Sequence, residues 1–347
     1  MLAHHIKRLF WLLCLVAALG AGLPATHTAA QPDTLDKLVL VGPPGPLSIP
    51  LAYLVANDRL SDVADEVELV LWEDQNQLRA LVAGNDADFI TMPSNNAAIF
   101  YNNDLDVQLL DIAVWNAAFG VSADTSITTL ADAEGMRVVI PFEGSVPDLI
   151  FQHVAAANGL DPRTNFAVQY TTNPQQAAQM IIAGQADLAI LPEPLATSVV
   201  LNTKESDTPL TRVFALSDDW AAAMDGTDTD AIKTPIAGTV ALPRIQDRPD
   251  VIDAFLREYA LAVEWTIENP QEAGQMAEEE LPDLGFKAGP TAQSLQNVLW
   301  QDMPAAEARE DVEAFFTALM DLSPDVIGGD LPDDGFYYVP ESGENGS

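Results

Sequence analysis

Two segments of this chain repeat one another, and that repeat restricts the fold more than any other feature of the 347 residues. Residues 39–50 run Val-Leu-Val-Gly-Pro-Pro-Gly-Pro-Leu-Ser-Ile-Pro: an apolar strand, a loop bearing Gly45, then Ser48 and Pro50 opening a helical pattern. Residues 138–147, Val-Val-Ile-Pro-Phe-Glu-Gly-Ser-Val-Pro, do the same, with Ser145 standing where Ser48 stands. A second phrase follows each copy. Leu81-Val-Ala-Gly84-Asn-Asp-Ala-Asp88-Phe-Ile-Thr-Met-Pro93 is answered by Ile182-Ala-Gly184-Gln-Ala-Asp187-Leu-Ala-Ile-Leu-Pro192. Either motif alone reads as a well-capped helix after a buried strand. Their common order predicts two similar strand–loop–helix units, with polar loops at strand ends facing a shared cleft.

The chemistry expected of such loops lies in helix N-termini. The first N–H groups of a helix lack intrahelical partners, and aligned peptide dipoles place partial positive charge there. Ser48 and Ser145 read as cap residues, Pro50 and Pro147 suit the first turn, and Gly45 and Gly144 let the backbone approach a ligand.

Residues 1–30 read as a secretory signal peptide: Lys7 and Arg8, an apolar core from Leu9 to Leu19, and Thr28-Ala29-Ala30 as the cleavage site. That core is too short to span a bilayer. Cleavage near Ala30 removes Cys14, the only cysteine, and Leu13 before it argues against lipidation. The product is expected in the periplasm. It carries 13 Lys and Arg against 52 Asp and Glu, a balance that repels nucleic acid and anionic lipid, so neither is expected as a partner. An apolar fraction of 48% argues against disorder, and the dispersed acidic residues suit a solvated surface in high salt.

Apolar runs predict strands at 37–42, 67–72, 88–92, 107–122 (two strands meeting at a bend), 136–140, 166–170, 187–191, 211–216 and 236–242. Helical spacing occupies 50–58, 75–83, 95–102, 147–158 and 174–183, then 249–268, 270–280, 290–302 and 305–321. Such alternation predicts an α/β fold of mostly parallel sheets flanked by helices. Polar stretches at 118–130 and 225–235 read as crossings between lobes. They put 33–122 plus 236–340 in lobe 1, with the C-terminal helices, and 123–235 in lobe 2; two crossings make a hinge. Asp225–Asp230 lacks calcium-loop spacing and reads as a linker, and the tail after Tyr338 reads as frayed.

Taken together these phrases resemble the substrate-binding proteins of ABC importers, in the family of nitrate-, sulfonate- and taurine-binding and NMT1/THI5-like proteins. The carriers are Gly84 to Asn96 with the Ala-Ala that follows, Gly184-Gln-Ala-Asp187-Leu-Ala-Ile-Leu-Pro192-Glu193-Pro194, and Ile327 to Tyr338. The resemblance implies a two-lobed, type II periplasmic-binding-protein fold that delivers a small solute to a membrane permease, without catalysis. It also implies ligand contacts from loops at strand carboxyl ends: Pro46, Leu47, Ser48, Ser94, Asn95, Asn96, Trp115, Phe142, Glu143, Gly144, Ser145 and Glu193. Asn95 has the alternative of capping the helix after it, Trp115 of being core, and Glu193 of capping backbone.

No Lys or Arg falls in 42–50, 92–96, 141–147 or 191–195, while Glu143 and Glu193 would oppose an anion. A neutral or cationic solute is therefore expected, such as a planar heterocycle stacked on Trp115 or Phe142. A metal such as copper, held by Glu143, Glu193, Met92 and His153 with Met136 nearby, is the alternative, weakened because His153 is the sole histidine after Ala30. A THI5-like enzyme is disfavoured. Its relatives use a His-rich centre, and this chain has no cysteine after cleavage and no Gly-x-Ser-x-Gly elbow. No cofactor is called for, and a monomer is expected.

Overall fold

The computed structural model describes residues 34–116, 118–224 and 234–340; the expected signal peptide, Asp225–Asp230 and the end of the tail lie outside the described residues. Two sheets carry the chain. The first holds β1 (Leu38–Gly42), β2 (Val67–Leu71), β3 (Phe89–Pro93), β4 (Gln108–Leu109), β5 (Asp111–Asn116), β11 (Ala237–Ala241) and β12 (Leu299–Pro304). The second holds β6 (Ala118–Ser122), β7 (Arg137–Pro141), β8 (Ala167–Thr171), β9 (Leu188–Pro192) and β10 (Thr211–Ala215). Their orders are β12-β5-β11-β3-β1-β2, with β4 beside β11, and β10-β6-β9-β7-β8.

The sequence repeat is a topological repeat. β1 lies parallel between β2 and β3, β7 lies parallel between β8 and β9, and an antiparallel strand, β11 or β6, then adds to β3 or β9. Parallel pairing is confined to these triplets because the strands entering from the other sheet run the opposite way. The repeated Asp has one task in both copies. Asp88 Oδ2 accepts the Val39 N–H at 2.7 Å, and Asp187 Oδ2 accepts the Arg137 N–H at 3.0 Å, closing the first rung between neighbouring strands. Each carboxylate also meets an arginine, Arg244 on Asp88 and Arg137 on Asp187.

The helices are α1 (Ser48–Ala56), α2 (Gln75–Gly84), α3 (Ser94–Asn102), α4 (Val146–Ala157), α5 (Pro174–Ile182), α6 (Leu195–Thr203), α7 (Leu216–Ala223), α8 (Pro243–Gln246), α9 (Pro249–Glu268), α10 (Pro270–Glu280), α11 (Ala288–Leu295) and α12 (Ala305–Met320). The helix expected over 290–302 ends at Leu295, and β12 follows. Leu-Trp-Gln-Asp-Met-Pro has little β-branching and pairs irregularly at a sheet edge, so its strand signal is weak. The run 107–122 divides between sheets: β6 pairs with β9, so the change of sheet comes between Asn116 and Ala118, ahead of the expected 118–130 crossing and the boundary at 122. Nor does the C-terminal segment belong to one sheet alone. On α12, Phe315 meets the edge of Trp220 from α7 at 5.1 Å, within a core that also includes Phe151 of α4.

Asp219 of α7 is buried, accepting the Leu130 N–H at 2.8 Å, and burial pushes its carboxyl from 3.8 up to about 6. A raised carboxyl pKa means the folded chain holds the proton longer than the unfolded one, so stability falls as pH rises from about 4 to about 6 and then levels. Asp219→Asn keeps an oxygen for Leu130 and removes the titration. Urea midpoints should show the variant gaining about 1–3 kcal/mol over the native protein at pH 7.5 relative to pH 4; an equal gain at both values would sink this account.

Candidate functional site

Strand register brings the two carboxyl-end edges together. Ala237 pairs with both Pro93 at the end of β3 and Val114 of β5, whereas Ala118 pairs with Pro192 at the end of β9. Four residue steps separate Val114 from Ala118, a reach of at most about 14 Å. The carboxyl ends of β3 and β9 are therefore joined through β11, β5 and β6 by a short stretch of chain. A second connection runs alongside: the Thr234 hydroxyl donates to the Trp115 carbonyl, and the Ile236 N–H donates to Val114 O at 2.9 Å.

The two serines are equivalent in chemistry but not as caps. Ser48 is the first residue of α1 and Ser145 the residue before α4, and neither side chain caps its helix. Instead Ser48 Oγ donates to Pro43 O at 2.6 Å and Ser145 Oγ to Pro141 O at 3.1 Å, lashing each loop to the end of its strand. Gly42 makes room for this, since a Cβ there would stand 2.2 Å from Ser48 Oγ.

Some of the helix-start amides expected to serve a ligand are used within the loops. At α1 the Ser48 and Ile49 N–H groups donate to Gly45 O and Pro46 O, and Pro50 has none. At α4 the Ser145 N–H donates to Phe142 O, Gly144 N–H to Asp148 Oδ2 at 2.8 Å, and Pro147 has none. At α3 the Ser94 N–H donates to Ile236 O.

Several expected contacts prove to be internal. Leu47 is core. Ser94 is buried, and its hydroxyl donates to Pro235 O, tying α3 to the returning connection. Asn95 does not cap a helix, since α3 already begins at Ser94; its Nδ2 donates to Val326 O at 3.4 Å while Oδ1 has no partner. Asn96 donates to Gln75 Oε1 at 2.8 Å. Trp115 is fully buried with its indole N–H on Gln301 O at 2.7 Å, the setting that the core alternative expects.

Glu193, before a cis peptide bond to Pro194, is the largest correction. Its carboxylate accepts the Thr197 N–H at 3.0 Å and the Thr197 hydroxyl at 2.9 Å, and it pairs with Arg212 from β10. The side chain is 0% exposed, so it caps α6 rather than facing a solute. The cation missing from the loop sequences is thus supplied from a neighbouring strand. Arg212 also stacks 4.7 Å over Phe119 and reaches Asn297 Oδ1 at 3.2 Å, while Asn297 Nδ2 donates to Thr197 Oγ1, linking the second sheet to the segment before β12.

What remains open to solvent is Pro46 and Asn96 in part, Phe142, Glu143 and Gly144, with Ser145 half-buried. Phe142 is 49% exposed, an unusual setting for so large an apolar ring, and holds φ +56°, a conformation L-residues rarely adopt. Strain in an exposed aromatic residue at a strand end is characteristic of a functional loop. Beneath it sits Asp148, absent from the expected set, which also accepts from Tyr170 Oη and Gln152 Nε2 at 3.0 Å; burial raises its carboxyl above the ordinary value despite these bonds. The Ser145-Val-Pro-Asp148 spacing resembles a capping box and was the available signal. Arg212 had none, lying 19 residues from Glu193.

The metal alternative finds no centre. Met92 is core, His153 packs at 4.6 Å against Trp220 with its pKa lowered by burial, Met136 packs against the core, and Glu193 is committed to Arg212. Among the described residues no three His, Cys, Asp or Glu gather as a metal site.

A family model described as NMT1/THI5 like matches residues 66–273. None of the curated proteins compared matches the sequence. Similar solved structures include an ABC transporter from Parabacteroides distasonis, 20% identical with a TM-score of 0.71 over 89% of this chain and 100% of that one. The periplasmic aliphatic sulphonate binding protein SsuA from Escherichia coli is 15% identical, TM-score 0.67, over 90% and 96% of the chains. The periplasmic nitrate-binding protein NrtA from Synechocystis PCC 6803 is 14% identical, TM-score 0.57, over 84% of each. At these identities the likeness is one of fold: two mixed sheets flanked by helices, as in periplasmic binding proteins.

Proposed function

The chain belongs to the NMT1/THI5-like family, and on that premise we propose that it is the exported, periplasmic solute receptor of an ABC importer. It holds a small neutral or cationic solute between its two sheets and passes it to the membrane permease without catalysing a reaction. Among the described residues no helix is long and apolar enough to cross a membrane, in keeping with a receptor that works beside its permease. The chain acts as a monomer with a hinge at the paired connections around Trp115 and Thr234; the solute closes it by contacting the closed form better than the open one. The dispersed acidic surface suits work in high salt.

The observation that carries the ligand class is the loop after β7. Phe142 offers an exposed ring face, Glu143 a solvent-accessible carboxylate, the Phe142, Gly144 and Ser145 amides are engaged internally, and Pro147 has none. An anion needs free donors at such a terminus. A planar cation gains instead from the ring and the carboxylate. Native mass spectrometry of protein purified from its own periplasm tests the reading: a retained neutral or cationic heterocycle supports it, and submicromolar binding of nitrate or an alkanesulfonate in calorimetry would overturn it.

Phe142→Gly separates ligand function from folding. It relieves the positive φ and should leave stability level or raise it by up to about 1 kcal/mol. Affinity for the retained solute should fall about tenfold or more with loss of the ring. Unchanged affinity would remove Phe142 from the site.

A further inference from the structure

The two copies of the sequence repeat fasten the same turn by different means. Ser48-Ile-Pro-Leu51 ends on a leucine buried in the apolar core, and Ser145-Val-Pro-Asp148 ends on an aspartate buried just as deeply. The loop before α1 carries Pro43, Pro44 and Pro46, whose rings fix φ by themselves. The loop before α4, Phe142-Glu143-Gly144, has no proline, and it holds positive φ at Phe142 (+56°) and Gly144 (+76°). Ordering such a stretch costs backbone entropy that something else must offset.

Asp148 supplies what the prolines do not. Its Oδ2 accepts the Gly144 N–H at 2.8 Å and Gln152 Nε2 at 3.0 Å, and its Oδ1 accepts the Tyr170 hydroxyl at 3.0 Å. Gln152 stands one turn on along α4, and Tyr170 lies on β8 opposite Ile140 of β7, so helix and sheet both hold the carboxylate in place. The rest of the loop is tied at its ends. The Phe142 N–H donates to Thr171 O at 2.9 Å, the Ser145 N–H to Phe142 O at 3.0 Å, and the Ser145 hydroxyl to Pro141 O. Only the bond to Asp148 secures the middle, beside the exposed Phe142 and Glu143. A buried carboxylate facing neutral donors is an expensive choice where the other repeat places leucine. What leucine could not do is accept the Gly144 N–H.

We propose that Asp148 is a positioning residue of the solute site: it fixes the loop after β7 so that the Phe142 ring and the Glu143 carboxylate are in place before a solute arrives. This rests on the reading of that loop as a solute contact. Affinity depends on Asp148 although the side chain is 0% exposed, because a loop ordered beforehand spares the solute the entropy of ordering it.

Chymotrypsin under native conditions reads the loop without any solute, since it cuts after aromatic residues where the backbone opens locally, and Phe142 is 49% exposed. The native protein, Asp148→Asn, Asp148→Ala and Tyr170→Phe are compared, with fragments identified by mass. Asp148→Asn keeps an oxygen for Gly144 and turns its amide N–H to Tyr170, so cutting after Phe142 should stay within about threefold of native. Asp148→Ala should be cut there about tenfold faster or more, with other bonds unaffected, and Tyr170→Phe should fall between the two. Native mass spectrometry of the same proteins, purified alike from the periplasm, reads binding. The fraction retaining the co-purified molecule should drop about tenfold in Asp148→Ala and stay near native in Asp148→Asn. Equal cutting after Phe142 in all four proteins overturns the proposal. So do cuts spread along the whole chain in Asp148→Ala, the mark of a general loss of stability, or faster cutting at Phe142 with the retained fraction unchanged. If the retained molecule is an anion and both measurements still move as expected, the positioning role stands and only the neutral or cationic reading fails.

Discussion

Replacing Glu193 with Ala is expected to lower the stability of the protein by about 3–5 kcal/mol, more than any change in the exposed loop after β7. The carboxylate is buried, and two of its three partners depend on it directly. The Thr197 N–H loses its acceptor at the start of α6, and the Arg212 guanidinium loses its counter-charge while 25% exposed, with Nε already unpartnered. A partly buried cation left without its counter-charge costs more than the pair contributed, which is why truncation of the buried member is severe. Glu193→Gln keeps an acceptor oxygen for Thr197 and should cost less, about 1–3 kcal/mol. Urea unfolding followed by far-ultraviolet circular dichroism reads both. If Glu193→Ala stays within about 0.5 kcal/mol of the native protein, the carboxylate is not the structural anchor described above.

Trp115→Ala carries the second large effect. The side chain is fully buried and its indole donates to Gln301, so truncation should cost about 3–5 kcal/mol through the cavity it opens and the acceptor it leaves. Its position at the paired connections between the two sheets makes the companion variant informative. Trp115→Phe retains most of the buried surface, loses the bond to Gln301, and should bind the solute with unchanged affinity, since no ligand reaches a ring with 0% exposure. A tenfold loss of affinity in a fully folded Trp115→Phe protein would restore the stacking role expected from sequence.

These two residues mark the limit of what the linear chain disclosed. Trp115 was equally compatible with core and ligand contact, because an aromatic residue ending a strand carries the same local signature in either setting. Glu193 followed a strand, preceded a proline and stood among no cations, so an open carboxylate was the natural expectation. The cation came from β10, a strand that reaches the same edge only because β6 intervenes between β9 and β10. Asn297 arrived from farther still, 85 residues beyond Arg212. The loss of β12 to an expected helix has a similar origin: an edge strand with bulges has few pattern residues to announce it.

What the sequence determined by itself was set by neighbours along the chain: the strands of both repeats, most of their helices though not α6 or α7, their common order, and through them the family and the two-sheet architecture. Period-two and helical spacing are local properties, and a duplicated phrase duplicates its local structure wherever the chain runs. The tertiary structure alone decided which groups remain available for chemistry. Amides, carboxylates and indoles are tied up when packing supplies a partner, as at Ser94, Trp115 and Glu193, and left exposed where it does not, as at Phe142 and Glu143. Partnership of that kind depends on sheet register and on contacts between residues tens to hundreds of positions apart, which no spacing within a segment encodes.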